Sequence, residues 1–365
     1  MRRPEVYERL ARHLGKLVSG YPFRETLLDL LQESFSPEEA ALVLAIPNDL
    51  APLELVPLEE IAQAAGVEPE QARQVLEGLA GRGVLYSGTT TGGAPGYAHL
   101  QVGYGMPQSF FWGGREDERA RRMAGLVLKY FTVDTTREIY GGRPTKTFRY
   151  SPAALAVEAP RQGVLTGDMI QNVVEGAQKI AVAHCPCRMA ARVLGRSECH
   201  HSLEVCFKYD EMAEFVVDRG LGRELSADEA LAIMRRCEEE GLVHMVDNAA
   251  EGVKHTCNCC GHWCWNVGII RRRKVPRDVL MASYFIRMTE EDECVGCEAC
   301  EQVCPVDAVT MVDGVAKVDE DWCIGCGVCM VKCPTEAISL ERRLPQPPPD
   351  DFDELTRRLR AEREE

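Results

Sequence analysis

Residues 294–333 contain two runs of one pattern. The first is Cys294-Val295-Gly296-Cys297-Glu298-Ala299-Cys300-Glu301-Gln302-Val303-Cys304-Pro305; the second, displaced by 29 residues at every matching cysteine, is Cys323-Ile324-Gly325-Cys326-Gly327-Val328-Cys329-Met330-Val331-Lys332-Cys333-Pro334. The likeness extends past the cysteines, since Pro305, Asp307, Ala308 and Val309 answer to Pro334, Glu336, Ala337 and Ile338, so the stretch is a duplicated unit. Paired Cys-x2-Cys also builds zinc ribbons. Three evenly spaced thiols, a fourth set off by a three-residue gap, and a following proline, all occurring twice, favour iron–sulfur clusters over zinc.

This run resembles the bacterial two-cluster ferredoxin pattern, in which the fourth cysteine of each run serves the other cluster. The resemblance implies one [4Fe-4S] cluster on Cys294, Cys297, Cys300 and Cys333, and a second on Cys323, Cys326, Cys329 and Cys304. Gly296 and Gly325 fit turns that aim backbone amides at sulfur, while Val295 and Ile324 exclude water. Residues 308–312 and 316–318 read as short strands framing the clusters.

The chain has 365 residues, enough for two or three domains, and a formal net charge of −15. That charge argues against phosphate backbones as the main partner. No apolar run approaches a membrane span, and Val6, Leu10, Leu14 and Leu17 recur helically among charged residues, which predicts an amphipathic helix rather than a signal peptide. Seventeen cysteines, mostly at metal-ligand spacing, point to a reducing cytoplasm and an anaerobic or low-oxygen host.

The expected fold class is α+β multidomain. A helical and winged-helix-like part covers 1–100, a connecting helix and irregular segment 101–165, a cysteine-rich α/β metal-binding domain 166–282, the two-cluster ferredoxin domain 283–340, and a mobile charged tail 341–365. Ser36-Pro37-Glu38-Glu39 caps a helix. A further helix is expected over 69–80, and a strand at 83–87 leads to a glycine-rich wing. DNA binding would need cations along that unit, yet from 21 to 100 only Arg24, Arg73 and Arg82 stand against twelve acids, which favours a protein-contact role. Phe110, Phe111 and Trp112 read as core. A helix over 116–131 buries Met123, Val127, Leu128 and Phe131, and 133–165 shows no clear periodicity.

In the middle region, a helix over 167–178 precedes the buried-strand pattern 179–183, which delivers His184-Cys185-Pro186-Cys187-Arg188 to its end. Cys199, His200, His201 and Cys206 follow. A capping box at Ser226 and Glu229 starts a helix that runs to Glu240, with Cys237 as ordinary core, and a strand at 242–246 leads to His255-Thr256-Cys257-Asn258-Cys259-Cys260-Gly261-His262-Trp263-Cys264. Two strands ending in cysteine-rich turns would gather Cys185, Cys187, Cys199, Cys206, Cys257, Cys259, Cys260 and Cys264. The readings are one or two further [4Fe-4S] clusters, a structural zinc site, or an open cluster with its own chemistry. Six of the eight histidines lie here and could donate to sulfur or carry protons. Arg271-Arg272-Arg273-Lys274 reads as a solvated face, or as a cationic patch that offsets cluster charge or docks an acidic partner.

Together, the Ile-Ala-Val-Ala-His-Cys-x-Cys-Arg strand, the Gly-Leu-Val-His strand before Cys-Asn-Cys-Cys, the winged-helix-like unit and the terminal repeat resemble a broad family of 4Fe-4S binding proteins of anaerobes. Cys259-Cys260-Gly261 is also similar to the cysteine-cysteine-glycine motif of heterodisulfide-reductase-type subunits. The resemblance implies redox work. The expected function is single-electron relay to a redox partner protein. The alternatives are an oxidoreductase with its own substrate at the middle cysteines and a redox-sensing winged-helix regulator. No glycine-rich dinucleotide fingerprint follows a predicted strand.

Overall fold

The computed structural model describes residues 4–153, 169–196 and 199–364. The N-terminal part is built from the helices Glu5–Leu14, Glu25–Ser34, Pro37–Val43, Leu58–Ala65 and Pro69–Gly81. The third begins with a complete capping box, in which the Ser36 side chain accepts from the Glu39 amide and the Glu39 side chain accepts from the Ser36 amide. Strand β1 (Val56–Pro57) and the hairpin β2 (Leu85–Thr89) and β3 (Pro95–His99) form an antiparallel sheet in the order β1-β3-β2.

The helix Glu118–Tyr130 buries Met123, Ala124 and Val127. The stretch after it departs from expectation. Residues 133–165 were expected to be irregular, but they hold the helix Val133–Tyr140 and a strand, β4 (Phe148–Ser151). Both are short, and β4 is buried at every position, so it shows no inside–outside alternation to read. Residues 154–165, like the start of the helix expected over 167–178, lie outside the described residues, and the observed helix is Ile170–Gly176.

Strand β4 is the edge of the sheet that organises the middle of the chain. With β5 (Ile180–His184), β6 (Glu204–Tyr209), β7 (Arg223–Leu225), β8 (Val243–Asp247) and β9 (His255–Cys259) it forms a six-stranded antiparallel sheet, order β4-β8-β9-β6-β5-β7. Side chains alternate across it. Val182, Val205, Phe207 and Val246 pack into a core with Ala230, Ile233 and Met234 of the helix Ala227–Glu239. Ala181, Ala183, Cys206, Met245 and Cys259 face the opposite way, into the core shared with the N-terminal helices. The middle cysteines therefore do not sit in two turns, as expected. Cys206, Cys257 and Cys259 lie on strands, and Cys206 stands opposite Cys257 in the β6–β9 register.

The C-terminal unit consists of β10 (Phe285–Thr289) paired with β13 (Ile338–Arg342), β11 (Val309–Val312) paired with β12 (Val315–Val318), and the short helices Ala299–Val303 and Val328–Val331. The charged helix expected in the tail after the proline run is present, Phe352–Glu364, and it is packed against the body. Phe352, Leu355 and Leu359 are buried at helical spacing, and Glu362 accepts from the Thr145 amide at 3.2 Å.

Candidate metal centres

Backbone turns bring the repeat's thiols together. Gly296 and Gly325 have φ of 68° and 62°, and a Cβ on Gly325 would lie 2.1 Å from the Phe285 carbonyl oxygen, so only glycine lets the chain turn here. Cys294, Cys297, Cys300 and Cys333 line one cavity of about 330 Å³. Cys333 thus stands with the first run rather than its own. In the second set, Cys304 is an electrostatic neighbour of both Cys326 and Cys329, as is Cys323.

These surroundings suit anionic sulfur. The Ala316 and Gly296 amides hold the Cys294 thiol below its ordinary pKa, and the Ala308 amide donates to Cys304 Sγ at 3.2 Å. Arg287 is buried with its Nη2 3.8 Å from Cys300 Sγ, while its Nε and Nη1 have no hydrogen-bond partner among the described residues. Leaving buried donors unbonded costs about 1–3 kcal/mol each. An anionic cluster among these cysteines would supply the acceptors, so the donor set and its setting fit an iron–sulfur group. The two sets differ in access: Cys297 is exposed, whereas Cys323, Cys326 and Cys329 are buried.

The middle cysteines form a second constellation around a chamber lined by Cys185, Cys187, Cys206, Cys257, Cys259, Cys260 and Cys264. Cys199 is not among them. Cys185 and Cys187, Cys187 and Cys264, Cys264 and Cys259, Cys259 and Cys257, and Cys257 and Cys206 are neighbours that shift one another's titration. Neighbouring thiols that donate to Cys257 and Cys264 hold both low, and burial with the same contacts pushes Cys187 and Cys259 up. Cations and a histidine close the set. Lys208 is buried over the Trp112 ring and donates to Cys206 Sγ at 3.2 Å, and His255 Nε2 stands 3.1 Å from Cys257 Sγ. Trp112, read from sequence as plain core, is a chamber wall, together with Phe131, Tyr140, Phe148 and a Trp265 stacked on Phe131.

The sequence motifs interlock around the chamber. His244 and Asn258 are paired in the β8–β9 register, with His244 Nδ1 2.6 Å from Asn258 Oδ1, and Arg188 donates to the Asn258 carbonyl oxygen at 3.1 Å. His184 faces the Trp112 carbonyl oxygen at 3.1 Å through its Nδ1. Sequence reading did not single out Arg287, Lys208 or Tyr150 as part of a site, since each needs the tertiary fold to meet a cysteine.

The two constellations are packed together. A Cβ on Gly261, beside Cys260, would sit 2.1 Å from the Pro305 carbonyl oxygen, so the Cys259-Cys260-Gly261 turn lies directly against the Cys304-Pro305 turn. Arg277 donates to the Cys323 carbonyl oxygen at 2.7 Å, and the Ala153 amide to that of Cys326 at 2.8 Å. The 271–274 cluster is no free solvated face: Arg271 pairs with Asp307 at 2.9 Å, and Arg273 donates to the Asp307 carbonyl oxygen at 2.7 Å and lies over Trp322. Its acidic partner is this chain's own C-terminal unit. Tyr150, fully buried, lies between the regions, with Cys264 and Cys259 on one side and Cys326 on the other as its electrostatic neighbours.

A C-terminal unit with this duplicated thiol geometry defines an iron–sulfur protein. Residues 289–310 and 316–339 match the family described as 4Fe-4S binding domain, so this part of the chain is a ferredoxin-like domain capable of iron–sulfur electron transfer. No curated protein matches the chain. Among the described residues no helix is long and apolar enough to cross a membrane.

Proposed function

We propose that this chain is an iron–sulfur electron-transfer protein that connects a redox partner to a metal centre in its own middle chamber. Cys294, Cys297, Cys300 and Cys333 would hold an outer [4Fe-4S] cluster, and Cys323, Cys326, Cys329 and Cys304 an inner one. Bound there, the two groups supply reversible one-electron carriers at close range. The middle thiols Cys185, Cys187, Cys206, Cys257, Cys259 and Cys264 would hold further metal. The exposed Cys297 marks the side a partner approaches, and the apolar packing over the inner thiols excludes water. Lys208 and Arg188 offset thiolate charge that burial would otherwise oppose.

The observation that carries this reading is the contact of the Gly261 turn with the Pro305 turn, with Tyr150 beside it. A free-standing carrier has no need to press its inner ligand turn against a second thiol-lined chamber. The test is anaerobic reduction of the full chain by a low-potential donor, followed by electron paramagnetic resonance and iron analysis. Reversible uptake with iron beyond the about eight atoms of two cubanes is expected. A chain that takes up no electrons, or holds only zinc, would overturn the reading.

The aromatic walls of the chamber favour a second reading, an oxidoreductase whose small apolar substrate meets the middle centre. Regulation through DNA has less support. Three helices and a hairpin support the winged-helix-like reading, but Arg219 of the middle region grips Glu77 on the helix Pro69–Gly81 at 2.5 and 3.2 Å, so that helix serves as a contact within the chain. Selection on random duplexes with oxidised and reduced protein should enrich no site.

A further inference from the structure

We propose that Cys199, His201, Cys260 and His262 bind one zinc ion at a site on the border of the iron–sulfur chamber. Strand alternation is the first reason. Cys259 faces the chamber and the N-terminal core, while the next residue, Cys260, packs into the opposite core beside Cys199 and Trp263. Cys260 thus borders the chamber but packs in the second core with Cys199, which does not line the chamber.

Distance gives the second reason. Cys199 Sγ and Cys260 Sγ are 3.8 Å apart. That is the edge of a tetrahedron with metal–sulfur bonds of about 2.3 Å, which comes to about 3.8 Å. Cubane ligands sit on different iron corners, so their sulfurs stand farther apart than this. The ligand atoms of Cys199, His201 and His262 also lie within 4.8 Å of one another, and the two imidazoles are 5.8 Å apart between ring centres. Two sulfurs and two nitrogens are the donor set of closed, structural zinc.

The surroundings complete the site. Glu240 Oε2 lies 3.9 Å from His201 Nδ1, and the Ser202 amide fixes that carboxylate at 2.7 Å. A carboxylate behind a histidine orients the ring and leaves its other nitrogen for metal. The Trp263 amide points at Cys260 Sγ at 3.5 Å. Two thiolates neutralise a dication, so the site carries no net charge into the half-buried setting. Such a zinc would staple the segment leading into β6 to the turn after β9, holding Cys206 and Cys257 in register, and it would engage Cys260 at the edge of the chamber.

The inference does not depend on where electrons go, and its test is separate from that of the relay. The full chain, purified anaerobically and reconstituted with iron and sulfide, is offered zinc and analysed for both metals and by X-ray absorption at the zinc edge. One zinc per chain is expected, with two sulfurs at about 2.3 Å and two nitrogens at about 2.0–2.1 Å. Cys199→Ser with His262→Ala should abolish zinc binding and leave iron unchanged, and His262→Cys should retain zinc with a third sulfur. Absence of zinc, a four-sulfur shell in the unaltered chain, or loss of iron in place of zinc would overturn the proposal. Should the double variant fail to fold, the zinc-edge spectrum of the unaltered chain decides alone.

Discussion

The two cysteine-rich regions gather thiols by opposite means. In the ferredoxin-like unit all eight cysteines lie within two short runs shaped by tight turns, and one of them, Cys297, is exposed. In the middle region Cys206 and Cys257 meet only because β6 and β9 pair in that register, and the rings of Trp112, Phe131, Tyr140, Phe148 and Trp265 line the chamber. Local spacing makes a site that can be read and that a partner can reach. Strand register makes one that is buried, and that depends on the whole fold.

The contrast breaks most sharply if the middle region holds no iron. Cys257→Ser combined with Cys264→Ser should remove all iron beyond about eight atoms per chain while sparing the C-terminal unit. Iron analysis before and after the change measures this, and a count that stays the same would reduce the chamber to buried thiols. Next in size is the exchange of fourth ligands. Cys333→Ser should damage the cluster on Cys294, Cys297 and Cys300, and Cys304→Ser the other, each costing about four iron atoms. Spectra in which each variant harms its own run would reverse the assignment.

The junction between the regions gives a smaller effect. Gly261→Ala places a methyl against the Pro305 carbonyl oxygen, where overpacking costs about 1–3 kcal/mol. Rapid-mixing reduction should then show the C-terminal unit filling normally and the chamber lagging; equal rates in both proteins would mean that the contact is only structural. Arg287→Met is the finest test. Removing a buried cation beside Cys300 disfavours the added electron and should lower the potential of the outer cluster, by an amount on the order of 60 mV if the loss is tenfold in equilibrium constant. A redox titration with no shift would show that Arg287 serves packing alone.

What was legible follows from the same contrast. The repeat could be read because a duplicated pattern with its own glycines carries its geometry locally. The capped helices at Ser36 and Ser226 could be read because each cap is complete within four residues. Strand β4 could not, since it is buried on both faces and contains Arg149, a charge that sequence places at the surface. The C-terminal helix could be read, but its docking could not, because three apolar residues on one stripe are outnumbered by charges. The meeting of Cys206 with Cys257 and of His244 with Asn258 required the register of β9 against β6 and β8, a long-range property that spacing does not express.

The C-terminal helix also bears on how the protein meets its partner. After β13 the chain does not stop at the ferredoxin-like unit but returns to the body, where the Ala250 amide donates to the Pro349 carbonyl oxygen at 2.8 Å, Phe352 packs edge-on against Tyr104, and Arg363 reaches the Gly15 carbonyl oxygen. At its other end the unit is tied in by the bridge between Arg149 and Ala282. A domain moored at both ends cannot swing out as a tethered head to collect electrons. On the proposed relay the partner would do the travelling, and the exposed Cys297 would mark a fixed quay rather than a ferry.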